Sequence, residues 1–227
     1  MSLKPKKKSD AKKIKAKMKA RESRMGTKEY LPPYTLIVSE GVKTEPLYLE
    51  GFVRRINERY KDIAKESHIV VYGTGRNTSG LIRFVDRMIQ KGGWNRYHKV
   101  WLVYDKDDFP LDHFDNTQFE AEARNNPKMA VAWSNESIEL WFLLHFQDYY
   151  ANNGREHYIQ LLHTYFAYSK TREDLYDILM KKGSLVDAKR RAKRLYQEFL
   201  DAQISNPSAM VPTTRMFELV EELERYL

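Results

Sequence analysis

Three acidic residues follow two short apolar segments of the sequence. Glu40 comes just after the apolar run 36–38, and Asp105 and Asp107 come just after the run 100–103. Carboxylates that meet in one pocket raise one another's pKa unless a cation lies among them, and oxygen ligands of this kind select hard ions such as Mg²⁺ or Mn²⁺. The three acids are therefore candidate metal ligands. The alternative is that they are solvated loop residues or helix N-caps, because a single Asp-x-Asp has little specificity.

The elements that would position these acids alternate between strand and helix. Apolar runs at 36–38, 69–71, 100–103 and 129–133 predict buried parallel strands, and stretches with helical spacing lie between them at 46–56, 81–89 and, more weakly, 115–126. This alternation predicts a parallel four-stranded sheet with helices on its faces. In the common strand order 2-1-3-4 the first and third strands are neighbours, so Glu40 and Asp105 would converge at their carboxyl ends. Asp107 reaches the same pocket if the chain stays extended through Lys106.

After residue 137 the pattern predicts helices only, at 138–146, 158–166, 172–181, 185–200 and 215–227. The fourth of these has a basic face away from its apolar stripe, formed by Lys189, Arg190, Lys193 and Arg194. A solvated face is favoured there over a binding surface. We predict a core at 30–146 and a helical extension at 147–227 packed on that core.

The excess positive charge of the chain lies in residues 1–29. This segment has twelve Lys or Arg and three acidic residues, so its net charge is +9. The whole chain has a net charge of +8, so the other 198 residues together carry −1. Its few apolar residues cannot offset the entropy cost of ordering, so we predict a disordered basic tail. The tail is either a sequence-independent contact to nucleic acid phosphates, which we favour, or a solubilising extension.

Composition excludes several classes of protein. The chain has no cysteine, so disulfide scaffolds, thiolate zinc sites and thiol nucleophiles are ruled out. No apolar run approaches the roughly 18 residues needed to span a membrane, and the N-terminus lacks the apolar stretch of a signal peptide. We expect a cytoplasmic protein without a membrane partner.

Three motifs resemble those of a known family. Ser39-Glu40-Gly41 after one strand and Asp105-Lys106-Asp107 after another are similar to the Toprim domain of topoisomerases, primases and OLD-type nucleases. The run 36–46, Tyr104–Asp107, Ser134-Asn135 and the run 139–146 resemble more specifically the RloB-like proteins, Toprim-related proteins of bacterial defence and restriction loci. The likeness covers about residues 34–146, with a looser echo at Asn206-Pro207 and in the last helix.

This resemblance implies a Toprim-like, Rossmann-like fold and assigns roles to residues. Glu40 would be the general acid/base or a metal ligand, Asp105 and Asp107 would hold Mg²⁺ or Mn²⁺, and Glu139 would complete the metal site. Family members commonly have Pro-Cys after Ser-Asn, whereas this chain has Glu136-Ser137. The role of Glu136 is therefore left open.

Other candidates are weaker. Lys43 and Arg76 are expected along the acidic edge, where they could neutralise a bound phosphate. The loop 73–78 could cradle a phosphate with its backbone N–H groups or could simply be a tight turn that needs glycine; it matches no dinucleotide-binding or Walker A pattern. His145, in an apolar helix, is more typical of a core histidine, although the resemblance keeps it as an outside candidate. Trp101 and Trp133 lie in predicted central strands and are predicted to be core residues, and Trp94 and Trp141 could be core residues too.

The leading hypothesis is a Mg²⁺-dependent nuclease that hydrolyses phosphodiester bonds of DNA or RNA in a defence system. The alternative is a non-catalytic subunit that binds nucleic acid or acts as an effector together with an AAA- or ABC-type ATPase. A third, less favoured, is nucleotidyl transfer as in Toprim primases. Retention of all three acids favours catalysis, because a pure binding module gains nothing from carboxylates beside a polyanion.

Overall fold

The predicted apolar runs form the parallel strands of a central sheet. The structure, a computed structural model, describes residues 30–107 and 111–227, so the predicted tail 1–29 lies outside the described residues. Val, Ile and aromatic residues favour extended backbone, and β1 and β3 are buried along nearly their whole length, as expected for strands covered on both faces. The parallel strands are β1 (Thr35–Ser39), β2 (Ile69–Gly73), β3 (Lys99–Asp105) and β4 (Lys128–Asn135).

The strand order is β2-β1-β3-β4-β5, which confirms the expected 2-1-3-4 order and adds a fifth strand. β5 (Thr213–Thr214) pairs antiparallel with the end of β4, and the hydroxyls of Ser134 and Thr214 lie 2.9 Å apart. The prediction of four strands was therefore wrong. The sequence did not predict β5 because a strand of two residues is too short to show strand periodicity. Its pairing partner also lies about 80 residues earlier in the chain.

Helices cover both faces of the sheet, and the hydrophobic core lies between the helices and the strands. On one face Leu81 and Val85 pack with Leu102 and Val131 of the strands, and Phe114 stacks edge-on against Trp133. On the other face, the helix between β1 and β2 contacts β2, and the last helix of the chain contacts β4. All four tryptophans are buried, which confirms the prediction for Trp101 and Trp133 and places Trp94 and Trp141 in the core as well. The helices between the strands are α1 (Thr44–Tyr60), α2 (Thr78–Gln90) and α3 (Leu111–Glu122).

The chain after β4 is mainly helical, but β5 contradicts the prediction of helices only, and the helix boundaries differ from the predicted ones. The apolar run continues to Phe146, but its backbone tightens into turns after Leu143, where the amides of His145 and Phe146 donate to carbonyls three residues earlier. The short apolar segment therefore predicted burial correctly and helix length incorrectly. The helices are α4 (Ile138–Leu143), α5 (Gly154–Tyr165), α6 (Leu175–Lys182), α7 (Leu185–Asp201) and α8 (Met216–Glu224).

Gly51 allows α6 to pack closely on α1. A Cβ at this position would lie 2.1 Å from Cγ of Tyr176, whose ring also meets Phe52 with centroids 4.7 Å apart. The helical part is thus joined to the strand-bearing part by buried aromatic contacts, and Pro32–Leu227 is one compact unit. Within residues 30–107 and 111–227, no helix is both long enough and apolar enough to cross a membrane.

Candidate functional site

The ends of β1 and β3 bring Glu40 and Asp105 to one pocket. The two strands pair in parallel with Ser39 opposite Val103, and the Glu40 amide donates to the Val103 carbonyl at 2.8 Å. Asp105 ends β3, and Asp107 follows it with a positive φ of 42°. All three acids line a pocket of about 280 Å³ at the carboxyl edge of the sheet. We refer to it as the acidic pocket.

The loop 73–78 holds Glu40 in place. The Thr74 and Gly75 amides donate to the carbonyls of Ser39 and Glu40, each at 2.9 Å, and Gly75 has a φ of 63° that favours glycine. The Thr78 hydroxyl donates to Oε2 of Glu40 at 2.9 Å. Of the two interpretations of this loop, its hydrogen bonds support the tight turn, whose role is to position the Glu40 carboxylate.

Burial makes Glu40 a proton acceptor near neutral pH. Loss of solvent raises the pKa of Glu40 to about 7, and the hydrogen bond from Thr78 opposes part of this rise. A carboxyl group with a pKa near the working pH is suited to general acid/base catalysis. Glu40 can therefore hold or release a proton at physiological pH.

Asp105 is the most buried of the three acids that follow β1 and β3. Its Oδ2 accepts a hydrogen bond from the Ile138 amide at 3.1 Å. Burial raises the pKa of Asp105 well above its usual range, and the nearby carboxylates of Glu45 and Glu139 raise it further. The pocket thus disfavours a full set of negative charges unless a cation enters it.

Two further carboxylates line the pocket, and only one of them was a predicted site residue. Glu139, at the start of α4, is buried and accepts a hydrogen bond from the Tyr168 hydroxyl at 2.9 Å. Glu45, in the first turn of α1, is also buried, and burial raises its pKa. Sequence reasoning missed Glu45. Its position five residues after Glu40, at a helix N-terminus that favours acids, was the available signal.

Two basic residues of the helical part complete the pocket and were not predicted. Arg155, in the first turn of α5, contacts the carboxylates of Asp105, Asp107 and Glu139. Lys170 lies in the loop before α6, with Nζ 3.8 Å from Oε1 of Glu139. Neither lies near a recognisable motif, so only the tertiary structure identifies them.

The predicted phosphate-binding residues fall in different places. Lys43 is exposed and lines the acidic pocket. Arg76 is not among the residues that line it, and its guanidinium lies over the ring of Phe84 at 4.8 Å. Of the two, Lys43 is placed to meet a ligand of the pocket.

The two residues whose roles the sequence left open have structural contacts. Glu136 accepts a hydrogen bond from the Arg155 amide at 3.0 Å, so it anchors the start of α5. His145 is buried, Nδ1 donates to the Trp141 carbonyl at 3.0 Å, and burial lowers its pKa to about 4. His145 does not line the acidic pocket, which agrees with its interpretation as a core histidine.

The basic face of α7 is engaged in ion pairs. Each of its four basic side chains contacts a carboxylate of the described part of the chain, which favours the solvated or structural interpretation over a binding surface. The pairs are Lys189 with Glu224, Arg190 with Asp187, Lys193 with Glu221, and Arg194 with Asp148.

The acidic pocket has the type of ligating groups that a hard divalent cation needs. In the observed arrangement, however, these groups contact the guanidinium of Arg155. Its ligating groups are carboxylate oxygens, the type that Mg²⁺ and Mn²⁺ prefer. Among residues 30–107 and 111–227, no group of three or more His, Cys, Asp or Glu side chains is arranged closely enough to hold a metal ion. Three of the pocket's carboxylates meet Arg155 instead, so an ion would fit only with Arg155 moved aside.

In a comparison with protein-family models, the chain matches the RloB-like protein model over residues 35–223. The chain belongs to the RloB-like protein family. The match extends well beyond the residues 34–146 on which the sequence resemblance rested, so the RloB-like region includes the helix that carries Arg155 and the loop that carries Lys170. Searches of curated proteins and of solved structures gave no match.

Proposed function

We propose that this RloB-like protein is a Mg²⁺- or Mn²⁺-dependent nuclease that hydrolyses phosphodiester bonds. The observation that carries the proposal is that Glu40, Asp105 and Asp107, from the ends of two neighbouring strands, line one pocket. Buried like charges at a strand edge are costly to folding. They are more readily explained by a cationic ligand than by a structural role.

The proposed roles follow from the contacts of each side chain. Asp105, Asp107 and Glu139 would hold the ion, and the buried carboxylate of Glu45 is close enough to raise the pKa of Asp105 and would add a further oxygen. When bound, Mg²⁺ or Mn²⁺ supplies Lewis-acid chemistry at a phosphate and lowers the pKa of water. Glu40 would take the proton of the attacking water, because a pKa of about 7 lets it accept a proton at neutral pH.

The basic residues would receive the substrate. Lys43 is exposed at the pocket and Lys170 is half in solvent, so both can pair with phosphate oxygens. The basic segment 1–29 would add affinity that does not depend on sequence. An ATPase partner and a role in antiviral defence belong to the same proposal, on the strength of the family resemblance and the Toprim-like motifs.

The test is incubation of the purified full-length protein with single- and double-stranded DNA and RNA, in Mg²⁺, Mn²⁺ or EDTA, with and without a candidate AAA- or ABC-type partner ATPase. We expect cleavage that needs the metal and is lost in Glu40→Gln. Asp86→Asn is the matched control, since Asp86 pairs with Arg124 away from the pocket. Binding without cleavage under every condition would contradict the nuclease and favour the non-catalytic effector.

A further inference from the structure

Arg155 occupies the centre of the carboxylates that the proposed function assigns to a metal ion. Its Nη2 lies 3.7 Å from Oδ2 of Asp105 and in closer contact with Oδ1 of Asp107, and its Nε lies 3.8 Å from Oε2 of Glu139. One guanidinium therefore bridges three acids. This pairing offsets the mutual repulsion that raises the pKa of Asp105.

The backbone of Arg155 is anchored while its side chain borders on solvent. The amide of Arg155 donates to Glu136 at 3.0 Å, and Gly154 before it has a φ of 78° in a turn where a Cβ would lie 3.1 Å from the Glu136 carboxylate. The Arg155 side chain is 29% exposed, and the side chain of Asp107 is exposed to a similar extent, 30%. Rotation about the side-chain bonds can thus withdraw the guanidinium without unfolding the start of α5.

A divalent cation and this guanidinium compete for the same oxygens. Mg²⁺ takes its ligands at about 2.0–2.1 Å in near-octahedral geometry, whereas the acids around Arg155 are spread over the wider reach of a guanidinium. Two cations within a few ångströms of one carboxylate repel each other in a partly buried site. They cannot occupy the site together in the observed arrangement.

We propose that Arg155 is a built-in counterion of the acidic pocket that a divalent cation must displace. The inference rests on the metal site of the proposed function and deepens it, because it describes what neutralises the carboxylates before the ion binds and what limits entry of the ion. Arg155 is a positioning residue in this scheme. It holds the carboxylates until the ion replaces it.

Binding of Mn²⁺ to the full-length chain, measured by the loss of the free-ion signal in electron paramagnetic resonance, tests the proposal without any activity assay. We expect Arg155→Gln to bind Mn²⁺ at least 10-fold more tightly than the unmodified protein. Arg124→Gln is the matched control: Arg124 also contacts two carboxylates, those of Asp86 and Glu120, but outside the pocket. Its affinity for Mn²⁺ should not change.

A third variant separates displacement from a general effect of charge. Lys170→Gln removes the same charge at the pocket. Within residues 30–107 and 111–227, however, the Lys170 ammonium pairs with a single carboxylate, that of Glu139, so we expect a gain in Mn²⁺ affinity of less than 3-fold. Equal gains in Lys170→Gln and Arg155→Gln would overturn the proposal. An unchanged or weaker affinity in Arg155→Gln would also overturn it.

The unmodified protein offers a second measurement that does not depend on any variant folding. Arg155 should react slowly with phenylglyoxal in EDTA and several-fold faster in Mg²⁺, as read by mass spectrometry of its peptide, while the Arg124 peptide reacts at the same rate in both. A rate for Arg155 that does not rise with Mg²⁺ would refute displacement. Nuclease assays on the same samples distinguish the two proposals. Tighter Mn²⁺ binding by Arg155→Gln without cleavage in the unmodified protein would contradict only the nuclease proposal. Cleavage by the unmodified protein without a change of Mn²⁺ affinity in Arg155→Gln would contradict only the displacement of Arg155.

Discussion

Replacing Glu40 with Gln should stabilise the protein above neutral pH while abolishing cleavage. The reason is that the fold holds the Glu40 carboxyl in a partly buried position that disfavours its charge and raises its pKa from 4.5 to about 7. Gln has nearly the same shape, and its amide oxygen can still accept the hydrogen bond from Thr78. The variant therefore removes the charge and keeps the packing.

The size of the effect follows from proton linkage. Below pH 4.5 Glu40 is protonated in both the folded and the unfolded state, so its charge has no effect on stability. Between pH 4.5 and about 7 the unfolded state loses its proton first, so the free energy of unfolding falls as pH rises. The shift of 2.5 units corresponds to about 3.4 kcal/mol at most. Because water reaches part of the side chain, we expect roughly 2 kcal/mol above pH 7.5.

The assay is urea or thermal unfolding of both proteins in EDTA at several pH values between 4 and 8.5. For a folded unit of this size a gain of about 2 kcal/mol raises Tm by roughly 4–8 °C. Glu58→Gln is the control, because Glu58 is an exposed residue of α1 and should show no gain that depends on pH. The reasoning is refuted if Glu40→Gln raises the free energy of unfolding equally at pH 4 and pH 8, or lowers it at pH 8. Either result would show that the buried charge of Glu40 does not destabilise the folded state.

Three other predictions concern the rest of the site and the tail. Asp105→Asn and Asp107→Asn should each remove cleavage and leave the circular dichroism spectrum and cooperative unfolding intact; unchanged cleavage would exclude them from the mechanism. Because the pKa of His145 falls from 6.5 to about 4 on folding, the unfolded state takes up its proton first as pH falls, and the protein should lose about 2 kcal/mol of stability between pH 8 and pH 5 from this residue. His145→Asn should lack that loss in pH-dependent urea unfolding, and an identical pH dependence in both proteins would show that His145 is not buried as a neutral group. Deleting residues 1–29 should flatten the salt dependence of nucleic acid binding by about 0.9 in log–log slope for each lost phosphate contact on duplex DNA, and an equal slope with and without the segment would place those contacts elsewhere.

The sequence by itself determined the part of the fold that depends on local pattern. Apolar runs in β1 and β3 followed at once by acids predicted both the strands and the edge where Glu40 and Asp105 meet, because parallel strands end on the same side of a sheet. The burial of Trp101 and Trp133 followed from the apolar runs of β3 and β4. These features need only the periodicity of neighbouring residues and a common strand order.

Only the tertiary structure decided which distant residues join the pocket. Arg155 and Lys170 come from the helical part, about 50 and 65 residues after Asp105, and contact its acids only because α4, α5 and the following loop fold back over the sheet edge. β5 depends in the same way on a return of the chain to β4. Such contacts are set by the packing of whole elements, which local periodicity does not encode. The neutralising charge in the acidic pocket therefore became visible only once the helices were in place.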